Sequence, residues 1–332
     1  MSVIIDFSYS WWNSQYGFRF NKEIYQNADK RVAQIKSMYE KLCRRFLWYS
    51  SYMPAPPSFM VEPYGHRFIP ALFGCEIAYG DDVAPWAENN ILTPDEIMAM
   101  PMWTMEDFLQ DPHRQVVHEQ VTYARKKHGW CTARQNLGGV MNAAIYLRGM
   151  DLFEDFYERP ELVHKLMSLI ANKMELAYEY GTQMDGAAAD TGVGNCSVCM
   201  VSPKIYDEFV YPYDRVMMEL AKKNNVRFGI HHDSNGTPYL DSYRRFEYLH
   251  HFDLGFETDI ARYREAFPEA VLDIYLYTSF MLERTPEEIK TDVARLAALS
   301  GNKALTQFTC LDIDENISDD KVTALYEAVI NL

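Results

Sequence analysis

The feature that most constrains the fold is an alternation of helical segments and short β-prone runs from residue 110 onward. Two of the helical segments open with a cap, because Ser202 precedes Pro203 and Thr285 precedes Pro286, residue types that suit a first helical turn. The β-prone runs are CTARQNLGG, DGAAADTG, VRFGIHH, LGFETD, AVLDIYLY and ALTQFTC. Strands and helices in alternation predict a mainly parallel sheet covered by helices.

The number of strand candidates favours a closed sheet. With SFMVEP near residue 60, the chain offers about seven or eight of them, more than the five or six typical of an open doubly wound sheet. We therefore expect an α/β fold with a single (β/α)8 TIM barrel over residues 59–332. Residues 1–58 are expected to form a helical, aromatic-rich N-terminal extension that packs on the barrel.

The composition narrows the possible partners. The formal net charge is −15 at pH 7, whereas nucleic acids and anionic membrane surfaces are bound mainly through clustered Lys and Arg. A small molecule or a protein is therefore the expected partner. The N-terminus has no basic region typical of a signal peptide, and no apolar run has the length of a membrane helix. Six scattered cysteines suit a reducing compartment, so we expect a cytoplasmic protein.

Polar side chains follow most of the expected strands. In a parallel barrel the carboxyl ends of the strands meet at one mouth, where the chemistry collects. These residues are Glu62, His66, Gln135, Asn136, Asp190, His231, Asp233, Glu257, Asp273, Tyr275 and Cys310. The sequence therefore predicts acids, imidazole and thiol around a single mouth.

The sharpest local pattern is His231 and Asp233 in VRFGIHHDSNG. In an extended backbone two residues that are two apart share a face, while His232 points to the other. Together with Glu257 and Cys310 from later strand ends, they would give a nitrogen, oxygen and sulfur set of the kind that zinc accepts. The alternative is that the His and Asp bind each other and loop amides, with Cys310 a small buried apolar residue.

Cys196 and Cys199 form the one recognisable cysteine spacing, in GNCSVCMVSP. A single Cys-x-x-Cys supplies two of the four ligands that a structural zinc needs, and the context is not thioredoxin-like. The loop is therefore explained either by simple packing or by a secondary metal or redox role.

Aromatic residues concentrate near the N-terminus, including Trp11, Trp12 and Trp48. They would either form a wall over a flat or cationic ligand or pack the N-terminal segment across one end of the barrel. The sequence carries no Gly-rich phosphate loop and no Gly-x-Ser-x-Gly elbow, which argues against phosphoryl transfer and serine hydrolase chemistry.

The sequence resembles the uroporphyrinogen decarboxylase superfamily over about residues 59–332. The resemblance is carried by ALFGCEIAYGDDVAPWAENNILTPDEIMAMP, NLGGVMNAAIYLRGMDLFEDFYERPELVHKLM, ADTGVGNCSVCMVSPKIYDEFVYPY, FGIHHDSNG, GFETDIARYREAFPEAVLDIY, RTPEEI and DENISDDKVTALYEAV. It implies a single (β/α)8 barrel with its pocket at the carboxyl-terminal mouth.

The N-terminal region separates the chain from true uroporphyrinogen decarboxylases. Those enzymes carry an Arg-rich Met-Arg-Gln-Ala-Gly-Arg signature that clamps the porphyrinogen carboxylates, whereas this region reads WWNSQYGFRF, with Arg19 as its one candidate. The chain is thus more similar to the branch of corrinoid-dependent methyltransferases.

This resemblance implies a metal site. Thiol-using members hold zinc with a His-x-Cys pair and a distant Cys, which places His231, Asp233 and Cys310 as metal ligands. Glu257 stands near the position of a glutamate in the related methionine synthases. A carboxylate in place of a thiolate makes the metal harder and less electron-rich.

The implied activity is a methyl transfer of anaerobic one-carbon metabolism, between a corrinoid protein and a thiol or tetrahydrofolate, assisted by zinc. Asp190, Glu257 and Gln135 are the expected catalytic groups. The expected substrate-binding residues are Glu62, Asn136, Asn195, Asn235 and Tyr275. The alternatives are a decarboxylase or lyase that acts on a small substrate without metal, and a non-enzymatic corrinoid or ligand carrier.

Overall fold

The computed structural model describes residues 1–88 and 91–332. Its strands are β1 (Ser2–Phe7), β2 (Ile77–Ala78), β3 (Trp86–Ala87), β4 (Thr191–Gly194), β5 (Phe228–His232), β6 (His251–Gly255), β7 (Val271–Tyr275) and β8 (Thr306–Ile313). In this part of the chain six of them form a sheet in the order β1-β8-β7-β6-β5-β4, in which every pairing is parallel. The other two form a small antiparallel ribbon.

Helices connect successive strands. In chain order they are α1 (Tyr9–Tyr16), α2 (Lys22–Gln26), α3 (Ala28–Arg45), α4 (Tyr49–Tyr52), α5 (Phe68–Leu72), α6 (Pro94–Ala99), α7 (Met105–Gln110), α8 (Pro112–His128), α9 (Val140–Arg148), α10 (Asp151–Glu158), α11 (Pro160–Asp185), α12 (Pro203–Ile205), α13 (Tyr211–Asn224), α14 (Leu240–Tyr243), α15 (Ile260–Ala266), α16 (Thr278–Glu283), α17 (Pro286–Ser300) and α18 (Asp319–Ile330). The caps expected from the sequence are present, since Ser202 and Thr285 accept hydrogen bonds from Ile205 and Glu288 amides. Among the described residues, none of these helices is long and apolar enough to cross a membrane.

The sheet closes as a barrel. The first strand, β1, pairs with the last strand, β8, along Ser2 to Phe7, as in a parallel barrel whose first and last strands are neighbours, and β1 and β4 are the outer strands of the ladder. On the far side of β4, the irregular segment 129–139 follows the sheet edge, where the Gly194 amide donates to the Gly138 carbonyl at 2.9 Å. The segment 57–62 follows in turn, because Gln135 Nε2 donates to the Val61 carbonyl at 2.7 Å. The expected (β/α)8 class is confirmed.

The N-terminal strand belongs to the sheet itself. Residues 2–7, expected to lie in the extension, form β1 of the sheet. Val3, Ile5 and Phe7 are buried, while Ser2, Ile4 and Asp6 are exposed on the other face. This period of two is that of a strand with one face against helices. Its run of apolar residues is too short to stand out beside the helical stretch that follows.

The aromatic residues of the extension serve mainly in packing. Trp11 lies 4.2 Å from the Phe7 ring, between ring centroids, and Trp48 stacks on Tyr326 of α18 at 4.0 Å. Trp12 also contributes to the wall of the large cavity described below. The N-terminal segment is therefore held across the end of the barrel by aromatic contacts.

Two neighbouring isoleucines test whether one face of β1 packs in the core while the other does not. Ile5→Ala should lower the free energy of unfolding by about 2–5 kcal/mol, because it leaves a cavity in the core, where Ile5 is 4% exposed. Ile4→Ala, at a position 40% exposed, is the matched control and should cost about 0.5 kcal/mol or less. Urea unfolding measures both, and equal losses would show that β1 does not pack as described.

Candidate functional site

A cavity of about 1240 Å³ occupies the interior and mouth of the barrel. It is lined by inward-facing residues of the strands, by the Gly138–Gly139 turn and by residues of α3. Its polar wall includes Asp6, Arg31, Glu62, His66, Arg67, Gln135, Asn136, Cys196, His231, Asp233, His251, Asp253, Tyr275 and Asp312. The acids, imidazoles and thiol expected from the sequence are largely gathered here.

His231 is the best-supported residue of the site. It lies near the end of β5, where alternation turns Phe228, Ile230 and His232 into the buried outer layer and leaves His231 facing the cavity. Its Nδ1 is 2.6 Å from Asp253 Oδ2, and its Nε2 is 3.6 Å from Asp233 Oδ2. Burial lowers the pKa of His231, but hydrogen bonds to Asp233 and Asp253 outweigh it and raise the pKa to about 12.

His232 has a structural role, as its opposite orientation predicted. It is fully buried, with Nδ1 2.8 Å from the Tyr243 hydroxyl and Nε2 3.0 Å from Ser234 Oγ. Burial lowers its pKa to about 4. The imidazole is therefore neutral. On the outer side of the sheet it stabilises the loop after β5 through its hydrogen bond with Ser234.

Cys196 joins His231 and Asp233 in one cluster. A thiol sulfur, an imidazole nitrogen and a carboxylate oxygen of these three residues all lie within 4.8 Å of one another. The Cys196 turn is held against β5 because the Asn195 amide donates to the His231 carbonyl at 2.6 Å. The pKa of Asp233 is lowered, because hydrogen bonds to His231 and Cys196 outweigh the effect of burial.

The two cysteines of the Cys-x-x-Cys spacing have different environments. The Cys196 side chain lines the cavity, whereas Cys199 is exposed and its thiol donates to the Cys196 carbonyl at 3.2 Å. Only the first of the pair therefore reaches the mouth cluster, which we define as Cys196, His231 and Asp233.

The mouth cluster fits zinc. Zinc in catalytic sites takes three N, O or S ligands from the protein and leaves a fourth position for water or substrate. A metal-bound His usually donates its other ring N–H to a carboxylate, which fixes the tautomer. Here Asp253 would accept from Nδ1 of His231 and leave Nε2 free for the metal.

Cys310 lies away from this cluster, contrary to the predicted ligand set. β8 runs on to Ile313, so Cys310 sits within the strand rather than after it. Gln307 and Thr309 point inward and bind Asp273, so the alternation of the strand turns Cys310 to the outer layer. It is fully buried, and burial raises its pKa to about 12. The geometry agrees with the alternative prediction, that Cys310 is a small buried apolar residue.

Two expected catalytic acids also lie elsewhere. Asp190 precedes β4, which starts at Thr191, so it lines the cavity at the amino end of the barrel, away from the mouth cluster, and pairs with Arg227 at 2.7 Å. Glu257 comes two residues after β6, on an exposed loop outside the cavity wall. In both cases a strand boundary differs by a few residues from the one read off the sequence.

Besides Asp190, four of the expected catalytic and substrate-binding residues line the cavity. Gln135 donates to the Val61 carbonyl at 2.7 Å, and its Oε1 is buried without a partner among the described residues. Glu62 pairs with Arg31 at 3.3 Å. The ring of Tyr275 meets His231 edge to face, 5.6 Å between centroids. Asn136 faces the cavity and accepts from the Gly138 amide at 2.9 Å.

The two remaining asparagines are structural, which corrects their expected role in substrate binding. Asn195 is fully buried, and its amide donates to Asp214 Oδ2 at 2.9 Å, behind the sheet. Asn235 is exposed and accepts from the Thr237 amide at 3.0 Å, which caps the following turn. Neither lines the cavity.

Sequence reasoning missed several cavity residues. Asp253 and His251 lie two apart in HHFDLGF, so the period of a strand places them on one inward face. The spacing of these two residues could have been recognised, but they lie within a strand, whereas the predictions considered residues at strand ends. Asp6 at the end of β1 was missed because β1 was assigned to the extension.

Asp214 provides a pH test of the buried layer behind the site. Burial raises its pKa from 3.8 to about 7, although hydrogen bonds from Asn195 and Tyr206 oppose the rise. The folded state therefore holds the proton more tightly than the unfolded state, and the wild type loses stability as pH rises from about 4 to about 7. Asp214→Asn cannot titrate and should escape this loss.

The expected result is that Asp214→Asn is more stable, relative to wild type, at pH 8 than at pH 5. The gain is about 1.4 kcal/mol for each pH unit between pH 5 and the raised pKa of about 7. Urea unfolding at the two pH values measures it. An identical difference at both would mean that Asp214 does not titrate in this range.

Comparisons with known proteins agree with the geometry. The family model for uroporphyrinogen decarboxylase (URO-D) matches residues 61–331. Among solved structures, a methyltransferase from Methanosarcina mazei is similar with a TM-score of 0.67 at 15% sequence identity, over 99% of this chain and 94% of that chain. A search of curated proteins found no significant match. At this identity the structural likeness shows a shared fold, the (β/α)8 barrel.

Proposed function

Because the chain belongs to the uroporphyrinogen decarboxylase family, we propose that it is a metal-assisted methyltransferase, which moves a methyl group between a corrinoid protein and a thiol or tetrahydrofolate acceptor. The observation that carries the proposal is the convergence of Cys196, His231 and Asp233 within 4.8 Å at the cavity wall. The fold shared with a methyltransferase from Methanosarcina mazei supports the same branch of the family.

Each member of the mouth cluster has a distinct part. His231 would bind zinc through Nε2, Cys196 through its thiolate and Asp233 through a carboxylate oxygen. Zinc in such a site would lower the pKa of a coordinated acceptor, so that its nucleophilic form exists at neutral pH. Cys196 supplies the sulfur ligand that the predicted set had assigned to Cys310.

Residues around the cluster would position the acceptor. Asp253 holds the His231 ring through the 2.6 Å hydrogen bond to Nδ1, and Tyr275 packs against the same ring. Gln135 lines the cavity, and its buried Oε1 has no hydrogen-bond partner among the described residues, so we assign this side chain to accept a hydrogen bond from the acceptor. A ring of protein groups rather than bulk water would thus surround the reacting atom.

Arg67 suggests that the substrate is anionic. Three other arginines of the cavity wall pair with carboxylates, namely Arg31 with Glu62, Arg134 with Asp185 and Arg227 with Asp190. Arg67 instead lies over the Tyr146 ring at 4.9 Å, and within the described chain no carboxylate pairs with it. Its Nε is buried without a partner there. A carboxylate, sulfonate or phosphate of the substrate would satisfy this guanidinium.

Metal content tests the mouth cluster. Cys196→Ser and His231→Ala should each lower the bound zinc by about one equivalent, because each removes one of three protein ligands. Cys199→Ser and Cys310→Ser are matched controls, since both thiols lie outside the cluster, and should keep the wild-type content. The protein is purified without chelators, and the metal is measured by mass spectrometry.

Cobalt substitution adds a spectroscopic test of the same site. Co²⁺ bound by the mouth cluster should show a near-ultraviolet thiolate charge-transfer band that Cys196→Ser abolishes and Cys199→Ser keeps. Methyl transfer from methylcobalamin to thiol and tetrahydrofolate acceptors then measures activity in the same variants. Wild-type protein that shows no thiolate band and no Cys196-dependent metal, even after metal is added back, would rule out the metal-assisted mechanism.

The Arg67 assignment is tested by Arg67→Met, which keeps the length of the side chain and removes its charge. We expect KM for an anionic acceptor to rise about ten- to a hundredfold, with kcat little changed, because a charge-assisted hydrogen bond contributes roughly 1.5–3 kcal/mol. A neutral acceptor of the same size is the control. An equal rise for both acceptors would contradict a role in charge recognition.

A metal-free decarboxylase or lyase is the second candidate, and one observation favours it. Asp6 and Asp312 both line the cavity, and partial desolvation by its walls raises the pKa of each carboxyl group. Each is therefore suited to donate a proton as a general acid. Turnover of a small carboxylic substrate by metal-stripped protein, abolished in Asp6→Asn or Asp312→Asn, would favour this function over methyl transfer.

A further inference from the structure

A second group of ligand-type side chains lies inside the barrel, beside the mouth cluster. It consists of His251 and Asp253 on β6 and Asp273 on β7, which we call the inner cluster. Asp253 pairs in register with His231 of β5 on one side and with Asp273 of β7 on the other. The three side chains share the inward face because strand alternation directs them there.

The donor atoms of the inner cluster converge. A ring nitrogen of His251 and one carboxylate oxygen from each aspartate all lie within 4.8 Å of one another. His251 Nε2 is 2.6 Å from Asp253 Oδ1 and 3.8 Å from Asp273 Oδ2. One nitrogen and two carboxylate oxygens form a ligand set that divalent transition metals accept.

One carboxylate oxygen of Asp273 lacks a hydrogen-bond partner among the described residues. Asp273 is 3% exposed, and its Oδ2 accepts from Thr309 Oγ1 at 2.7 Å and from Gln307. Its Oδ1 is also buried but has no hydrogen-bond partner among the described residues. Burying a carboxylate oxygen without a partner costs free energy. A proton or a cation bound to this atom would remove that cost.

The charge balance points the same way. Within residues 1–88 and 91–332, the ion pairs of Asp253 and Asp273 are with His231 and His251 alone, and no Lys or Arg pairs with either. With Asp233, which among the described residues also pairs with His231 alone, three carboxylates share two imidazoles, so even two protonated rings leave one carboxylate without compensating positive charge. A divalent cation among His251, Asp253 and Asp273 would supply it.

We propose that the inner cluster is a second binding site, specific for a divalent transition metal such as zinc or manganese. Asp253 connects the two sites, because its Oδ2 holds His231 while its Oδ1 faces His251. With two oxygen ligands and no thiolate, the inner site is harder than the mouth cluster. A metal there would fix the Asp253 carboxylate and, through it, the His231 ring.

The test is metal stoichiometry on the full chain after chelator treatment and dialysis, with zinc as the probe. We expect about two equivalents in the wild type and about one in His251→Asn and in Asp273→Asn. His250→Asn is the matched control, because His250 neighbours the cluster in sequence but lies outside it, with its Nδ1 3.4 Å from the Phe228 amide and its ring against Tyr248. It should keep both equivalents. Cys196→Ser should keep one, and Cys196→Ser/His251→Asn should bind none.

Cobalt spectra assign each equivalent to its site. His251→Asn and Asp273→Asn should lose one equivalent of Co²⁺ and keep the thiolate band, whereas Cys196→Ser should lose the band and keep the inner equivalent. Thermal melting followed by circular dichroism establishes that each variant is folded, and if both inner variants unfold, the equivalent retained by Cys196→Ser decides.

The outcomes for the two sites are separable. A wild type that saturates at one equivalent, lost in Cys196→Ser and unchanged in the inner variants, would overturn the inner site. A single equivalent that is lost in His251→Asn but kept in Cys196→Ser would support the inner site and remove the metal from the proposed methyltransferase mechanism.

Discussion

The pairing of β1 with β8 is the constraint on which the rest of the structure depends. It joins the first and last strands of the chain through a parallel ladder from Ser2 to Phe7, as the (β/α)8 class requires. Once the sheet is closed, every second side chain of each strand faces a shared interior. Val3, Ile5 and Phe7 then pack outward against helices, while Asp6 faces the cavity.

The interior of this barrel is unusually rich in polar groups. Barrel interiors are commonly filled by branched apolar side chains, but here His231, Asp253, His251 and Asp273 occupy neighbouring strands in register. Such groups are costly to bury unless they pair or bind a cation. The chain of contacts from the mouth cluster to Asp273 therefore carries a free-energy cost, which is most simply explained by a function in ligand or metal binding.

Asp253 has the central position in this network. One of its oxygens is 2.6 Å from His231 and the other is 2.6 Å from His251. A change in the position or charge of either histidine therefore affects the other through the shared carboxylate. The mouth cluster and the inner cluster are thus two ends of one hydrogen-bonded system. Their metal affinities are expected to be coupled, because the orientation of a ligand depends on its second partner.

Strand alternation accounts for both the successes and the errors of the sequence analysis. The spacing of His231 and Asp233 correctly placed them on one face and His232 on the other, since this inference needs only the local period. Cys310 and Asp190 were misplaced because their orientation depends on where a strand begins or ends. β8 extends to Ile313 and β4 begins at Thr191, and a shift of one residue reverses the face.

The sequence by itself determined the alternation of strands and helices, the barrel class and the gathering of acids and histidines at its interior. These follow from hydrophobic periodicity, helix caps and the residues next to strands, all of which are local. Only the tertiary structure decided that Cys196 rather than Cys310 completes the mouth cluster, that Asn195 is buried against Asp214, and that β1 pairs with β8. Those outcomes depend on strand register and on contacts between residues far apart in the chain, which local sequence patterns do not encode.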